Sequence, residues 1–241
     1  MVIHSVLTGS STELVQSDDA THNGSVKHAV ISGGTGGLGQ AIERALSNPG
    51  SDWQVTAFGR KDLDLHHLES IQPWFLHRRV DLLVCAAGIT SDAPLARLRE
   101  KSWDETLRIN LSASLACARA AIAGMLQNEI QGQVVFISSY SAIHPPIGQV
   151  AYATAKAALL GATKDLAAEF GAKGIRVNSI LPGFLETPMT ASVSPSRREQ
   201  VLAEHQLGAF NDCEAVAGFI RFLHENLPHT SGQIFQLDSR L

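Results

Sequence analysis

The chain has 241 residues, of which 44% are hydrophobic and 17% charged, and its formal net charge is −4. These values allow one large domain with a sizeable core and argue against global disorder, while the mild acidity argues against general nucleic-acid binding, which needs a basic face. No apolar run approaches the ~20 residues of a membrane span, and the scattered Cys85, Cys117 and Cys213 offer neither a disulfide framework nor metal-ligand spacing.

Residues 1–26 form an N-terminal extension rich in Ser, Thr, Asp, Asn and Gly. They lack the basic and apolar regions of a signal peptide. The segment is either a solvated tail or one in which Val2, Ile3, Val6 and Leu7 add a strand or pack on a neighbouring subunit. Residues 27–241 read as one domain. HAVIS is a strand, GGTGGLG a turn and QAIERAL a helix. After the turn Asn48–Ser51, WQVTAFG is a second strand ending at Arg60, and LHHLESIQPWFL has helical spacing. VDLLVCAAG is a buried strand, 102–128 a long helix, GQVVFISS a strand, 151–171 a second long helix and IRVNSIL a strand. Residues 195–206 and 212–225 look helical, and QIFQL closes as a strand. Strands alternating with helices predict a doubly wound, Rossmann-like parallel sheet, whose strands are apolar because both faces are covered.

Three patterns carry chemistry. Between the first strand and its helix lie Ser32, Gly33, Gly34, Thr35, Gly36, Gly37, Leu38 and Gly39. Glycines there let the backbone approach a ligand, and a helix N-terminus presents free N–H groups and a positive dipole end to a phosphate. The second strand ends in Arg60 with no acid before it, and a forked guanidinium suits the 2′-phosphate of NADP. Tyr152 and Lys156 stand one helical turn apart, where a cation favours the phenolate, and Ser139 ends the strand just before that helix.

Taken together, these motifs resemble the short-chain dehydrogenase/reductase family from about Lys27 to the C-terminus. SGGTGGLG is similar to the family's TGxxxGxG loop, and Cys85–Gly88 to its NNAG. Asn110, Ser139, Tyr152 and Lys156 match its catalytic tetrad; Pro182, Gly183, Leu185 and Thr187 match a segment that meets the nicotinamide. The resemblance implies that Ala86, Ala87 and Gly88 join the glycine loop in holding the cofactor. It places Asp64 against the adenine, unless a salt bridge to Lys61 occupies it. Within the family the pattern around Gly88–Asp92, Trp103-Asp104 and PGFLETPMT resembles the 3-oxoacyl-acyl-carrier-protein reductases.

The resemblance implies NADPH-dependent reduction of a ketone, most readily a 3-oxoacyl thioester, with Tyr152 giving the proton and Ser139 holding the carbonyl oxygen. Lys156 would lower the Tyr152 pKa and hold the ribose, and Asn110 would hold a water. A reductase of another small ketone or alcohol, or a catalytically silent NADP-binding protein, are the alternative readings. The expected assembly is a cytoplasmic homotetramer or homodimer, built on small residues of the two long helices (Ala116, Ala118, Ala120, Ala121; Ala157, Ala158, Gly161, Ala162).

Three departures stand out. Only Lys61, Asp62 and Leu63 separate Arg60 from Asp64, where relatives place a helix and a third strand. A crossover to a parallel strand needs about a dozen residues. Six full strands with the extra edge lost or truncated are therefore predicted, and the N-terminal extension is a candidate cover for that edge. QNEIQGQ lacks the bases expected for docking an acyl carrier protein, although Lys173 remains. The chain ends DSRL where relatives carry a Gly pair. His66 and His67 are read as starting a surface helix, His144 as a loop or pocket residue, and 186–208 as a lid.

Overall fold

The computed structural model describes residues 26–240; the N-terminal extension, and the expectation that it covers a sheet edge, lie outside the described residues. In chain order the elements are β1 (Lys27–Ser32), α1 (Gly37–Leu46), β2 (Trp53–Phe58), α2 (Ile71–Phe75), β3 (Leu82–Cys85), α3 (Glu100–Leu107), α4 (Ala113–Gln127), β4 (Gln133–Ile137), α5 (Val150–Phe170), β5 (Arg176–Leu181), α6 (Pro195–Ala203), α7 (Cys213–Asn226) and β6 (Ile234–Gln236). The six strands pair in parallel in the order β2-β1-β3-β4-β5-β6.

Strand side chains alternate between two cores. Val30, Leu83, Val134, Phe136 and Val177 face one helical layer, which includes α4 and α5. Ala29, Ile31, Leu82, Val84 and Val135 face the other, which includes α1 and α7. The chain winds outward from β1 to β2, then crosses back to β3 on the other side. This reversal opens a crevice at the C-terminal strand ends, where open α/β sheets bind ligands.

The shortened connection after β2 contains no strand, so among the described residues the additional edge is lost outright. Its place is taken by a tight turn. Asp62 accepts from the Gly59 N–H, the N–H groups of Asp62 and Leu63 return to the Gly59 carbonyl, and Leu63 and Leu65 plug the core at 6% and 8% exposure. His66 and His67 precede the helical turns here rather than starting them. The helix predicted over 102–128 begins at Glu100 and is broken by one π-helical turn, Arg108–Ser112. Glu100–Gln127 is long and apolar enough to span a bilayer by composition, but Ile109, Ala113, Cys117, Ile122 and Met125 on it pack in the core of this domain.

Candidate active site

The glycine loop is shaped by close approaches that leave no room for side chains. Gly33 has φ +74°, and a Cβ there would lie 2.8 Å from Ala87 Cα. A Cβ on Gly39 would lie 2.2 Å from the Gly33 carbonyl oxygen. Ser32 carries a hydroxyl at the head of the loop. Its Oγ accepts from the Ala87 N–H at 3.3 Å, joining the loop after β1 to the loop after β3. No side chain caps α1 at Gly36, which leaves its first N–H groups without a side-chain partner. Thr187 lies against Gly37, the Thr methyl being 3.0 Å from where a Cβ would stand. A crowded glycine cradle, an uncapped helix and a threonine facing both fit the pyrophosphate and nicotinamide end of a dinucleotide.

Ser139, Tyr152 and Lys156 line a cavity of about 1040 Å³, together with Leu38, Ala86, Gly88, Pro182, Gly183, Leu185 and Thr187. Strand β4 delivers Ser139 and the first turn of α5 delivers Tyr152. Lys156 is 3% exposed and donates to the Ile137 carbonyl at 2.8 Å. Asn110 stands one layer behind, fully buried in the π-helical turn. It donates to the carbonyls of Ile89 and Thr106 (2.8 and 2.9 Å) and accepts from the Ile89 N–H. π-Turns of this kind are frequent at functional sites. Gly88 makes the arrangement possible, since a Cβ there would lie 2.7 Å from Asn110 Oδ1.

The electrostatics differ from the sequence expectation, in which Lys156 lowers the Tyr152 pKa. Instead burial raises the phenol, the Ser139 hydroxyl opposes that rise, and the Asp92 carboxylate adds to it. Lys156 is itself pushed down to about 8 by burial. In this state the phenol holds its proton at neutral pH. Cys85 is a buried strand-end thiol pushed up by burial, as its apolar surroundings dictate.

Arg60 and Asp64 lie apart from the cavity, beside the outer edge of β2. The Arg60 side chain is 75% exposed and its Nε is 3.3 Å from Asp64 Oδ2. Asp64 pairs with Arg60 and His66, not with Lys61. Its carboxylate accepts from the backbone and ring N–H of His66 (3.0 and 2.8 Å), which with the Arg60 charge holds its pKa down at about 2.

Ser141 and Gln149 gave no signal in the sequence, whereas His144 and the 186–208 segment were expected at the pocket. The Ser141 hydroxyl donates to Gln149, whose amide donates to Asp92 (2.9 and 2.7 Å), tying three loops along the rim. His144 lines the cavity and stacks on Tyr140. Residues 186–208, expected from the sequence to form a lid, supply Met189, Arg197 and Val201 to the cavity wall, and an Arg198–Glu186 ion pair ties two points within that segment.

Comparison with known proteins places this arrangement in a family. The profile described as Enoyl-(Acyl carrier protein) reductase matches residues 66–239. A 3-oxoacyl-[acyl-carrier-protein] reductase of Thermotoga maritima is 31% identical over 89% of this chain and 97% of its own length. One from Rickettsia felis is 32% identical over 88% and 95%. Among solved structures, a candidate NAD(P)-dependent gluconate 5-dehydrogenase from Beutenbergia cavernae, with NADP bound at low occupancy, superposes with a TM-score of 0.83 at 28% identity, covering 88% of this chain and 95% of that one. A candidate 2-deoxy-D-gluconate 3-dehydrogenase from Agrobacterium tumefaciens with bound NADP gives 0.82 at 29% identity, over 88% and 95%. The fold, the extent of the profile match and these near-full-length relatives agree: the chain belongs to the short-chain dehydrogenase/reductase family of oxidoreductases.

Proposed function

We propose that this protein reduces a ketone to a secondary alcohol with NADPH, and that the ketone is a 3-oxoacyl thioester. The observation that carries this reading is the convergence of Ser139, Tyr152 and Lys156 on one cavity whose other end meets Leu38, Gly88 and Thr187. The bound cofactor supplies a hydride from its nicotinamide; the protein supplies position and electrostatics. Gly33, Thr35, Gly36, Gly37, Leu38 and Gly39 would hold its phosphates, Ala86, Ala87 and Gly88 one flank, and Pro182, Gly183, Leu185 and Thr187 the nicotinamide end. Tyr152, kept protonated, gives its phenolic proton to the carbonyl oxygen, and the Ser139 hydroxyl donates to the same oxygen. The Lys156 ammonium, which donates to the Ile137 carbonyl, would hold the ribose hydroxyls of the bound cofactor and would favour the phenolate left behind. Asn110 holds the Ile89 loop and the π-turn in register.

NADPH is preferred because Arg60 is exposed at the edge of β2, free of burial and able to exchange Asp64 for a 2′-phosphate. The relatives' names support a 3-oxoacyl substrate, and the exposed Ile143, Ile147 and Met189 at the cavity mouth suit an acyl chain. A CoA-linked or free ketone fits as well as a carrier-bound one, since the helix end at 127–133 carries no base. The Asp92–Gln149–Ser141 rim favours a second reading, reduction of a polyhydroxylated ketone of the kind named for the structural neighbours.

We read the enzyme as a cytoplasmic homotetramer or homodimer. Small residues with open space beside them, Gly124 and Gly161, support packing of α4 and α5 on a second copy. Ala118, Ala120 and Ala121 are buried in the domain's own core and do not contribute to that surface. The deciding experiment is NADPH oxidation against carrier-bound, CoA-bound and free 3-oxo compounds and a set of keto-sugar acids. Turnover of the thioesters supports the first reading, and turnover of the keto-sugar acids alone replaces it with the second. Tight NADPH binding without turnover of any ketone overturns both.

A further inference from the structure

The C-terminal tail, which departs from the family pattern, returns over the proposed active site. The Asp238 side chain is fully buried against the Pro182-Gly183 segment, its Cβ 2.6 Å from where a Gly183 Cβ would stand. The Arg240 side chain, 8% exposed, directs Nε and Nη2 to Asp238 Oδ2, both at 2.7 Å. Its Nη1 stands 3.8 Å from Glu204, just past the end of α6 in the lid. Its guanidinium carbon lies 3.5 Å from the centre of the Tyr140 ring. His144 stacks on the same ring at 4.5 Å and 25°. One ring face has room for one planar group at such distances, so Tyr140 is sandwiched between guanidinium and imidazole. Tyr140, His144, Glu204 and Arg240 all line the cavity, and Tyr140 directly follows Ser139.

Burying an arginine is costly unless its charge is matched, and here a fully buried carboxylate matches it through two charge-assisted bonds. The guanidinium over an aromatic face adds a directional attraction. By contrast, the backbone turn that carries Ser139 and Tyr140 is held by a short 3-10 turn and two bonds of Ser141, whose N–H donates to Ser139 Oγ at 3.1 Å and whose hydroxyl donates to Gln149 at 2.9 Å, and neither bond engages the Tyr140 ring. We propose that Arg240 is a positioning residue: by clamping the Tyr140 ring it fixes the Ser139 hydroxyl, and it couples the tail and the lid to the wall beside the reacting carbonyl. The kinetic consequence rests on the reductase reading, whereas the clamp itself does not.

The chain has two tyrosines, so ring-¹³C-tyrosine labelling gives two tyrosine signals, assigned with Tyr140→Phe. In Arg240→Met the Tyr140 signal should move and broaden. kcat with a 3-oxo thioester should fall about 10-fold while KM for NADPH stays within about 2-fold. Arg240→Lys, which keeps a cation over the ring but loses the fork to Asp238, should recover part of kcat and of the Tyr140 signal. If Arg240→Met does not fold, Asp238→Asn and Arg240→Lys carry the same comparison. An unmoved Tyr140 signal overturns the proposal, and so does a moved signal with unchanged kcat. If the wild type reduces no ketone, that failure falls on the reductase reading, and the Tyr140 signal alone decides the clamp.

Discussion

At the end of the crevice near Tyr152, Asn110 is fully buried and Lys156 is 3% exposed, each hydrogen-bonded to backbone carbonyls. At the far end, beside the β2 edge, the Arg60 side chain is 75% exposed and its one ion-pair partner, Asp64, lies in a surface turn. Buried groups in a low dielectric hold fixed geometry and shift each other's proton affinities, while exposed charges are screened and adaptable. The difference separates two roles on one chain. On the proposed reading, chemistry is placed where side chains are buried with few alternative partners, and cofactor selection where they are exposed and adaptable.

The sharpest way to break this contrast is Tyr152→Phe, which removes the proposed proton donor and leaves the packing intact. Its kcat in NADPH-dependent ketone reduction should fall by the roughly 10²–10⁴-fold typical of general acid catalysis, with Tm unchanged. Near-normal turnover would remove Tyr152 from its role. Gly39→Ala comes next. Its Cβ would lie 2.2 Å from the Gly33 carbonyl oxygen, so the loop must move. A loss of about 2–4 kcal/mol in thermal unfolding is expected, with weaker NADPH binding by fluorescence titration. An unchanged Tm would mean that the loop yields freely.

Lys156→Met tests what burial of the cation costs. The Lys156 pKa falls from 10.5 in the unfolded chain to about 8 in the folded one. Between those values the unfolded chain binds the extra proton, so wild-type stability should rise as pH climbs from about 8 to 10.5; below 8 the full cost of the buried charge is present. Lys156→Met should therefore be more stable than wild type at pH 7 by about 1–2 kcal/mol, after allowing for the orphaned Ile137 carbonyl. It should also lose the alkaline rise in urea melts and lose turnover. A destabilised variant would show that the ammonium supports the fold. The smallest effect belongs to the exposed end. Arg60→Ala should raise KM for NADPH about 5–10-fold, with kcat, Tm and the KM for NADH nearly unchanged, as expected for a surface charge pair. Equal NADPH affinity would remove Arg60 from cofactor selection.

Much of this was legible in the chain. The strand-loop-helix around Gly33–Gly39 is local; Gly36 and Gly39 are crowded by Gly33 within the loop and Gly34 by Ala57 on the adjacent strand, while Gly37 meets the distant Thr187. The Tyr152–Lys156 pair needs only helical spacing. The missing edge strand followed from counting residues between Arg60 and Asp64, because no crossover fits in that length. The π-turn at Arg108–Ser112 was not legible, since RINLSAS continues a helical pattern; the turn is held by Asn110 bonding to Ile89, which is distant in sequence. Nor was the Asp64 partner, because Lys61 is nearer than Arg60 along the chain and the turn geometry nevertheless brings Arg60 to it.

The amino-acid sequence by itself determined the doubly wound sheet, the glycine loop and the residue types of the candidate site, because these rest on periodicity, glycine sterics and short spacings. Only the tertiary structure decided the protonation of the site, since burial raises Tyr152 and lowers Lys156 through groups far apart in sequence. It also decided the place of the tail: DSRL has no local pattern, and its contact with Tyr140 exists only because β6 ends beside the cavity that β4 and α5 enclose.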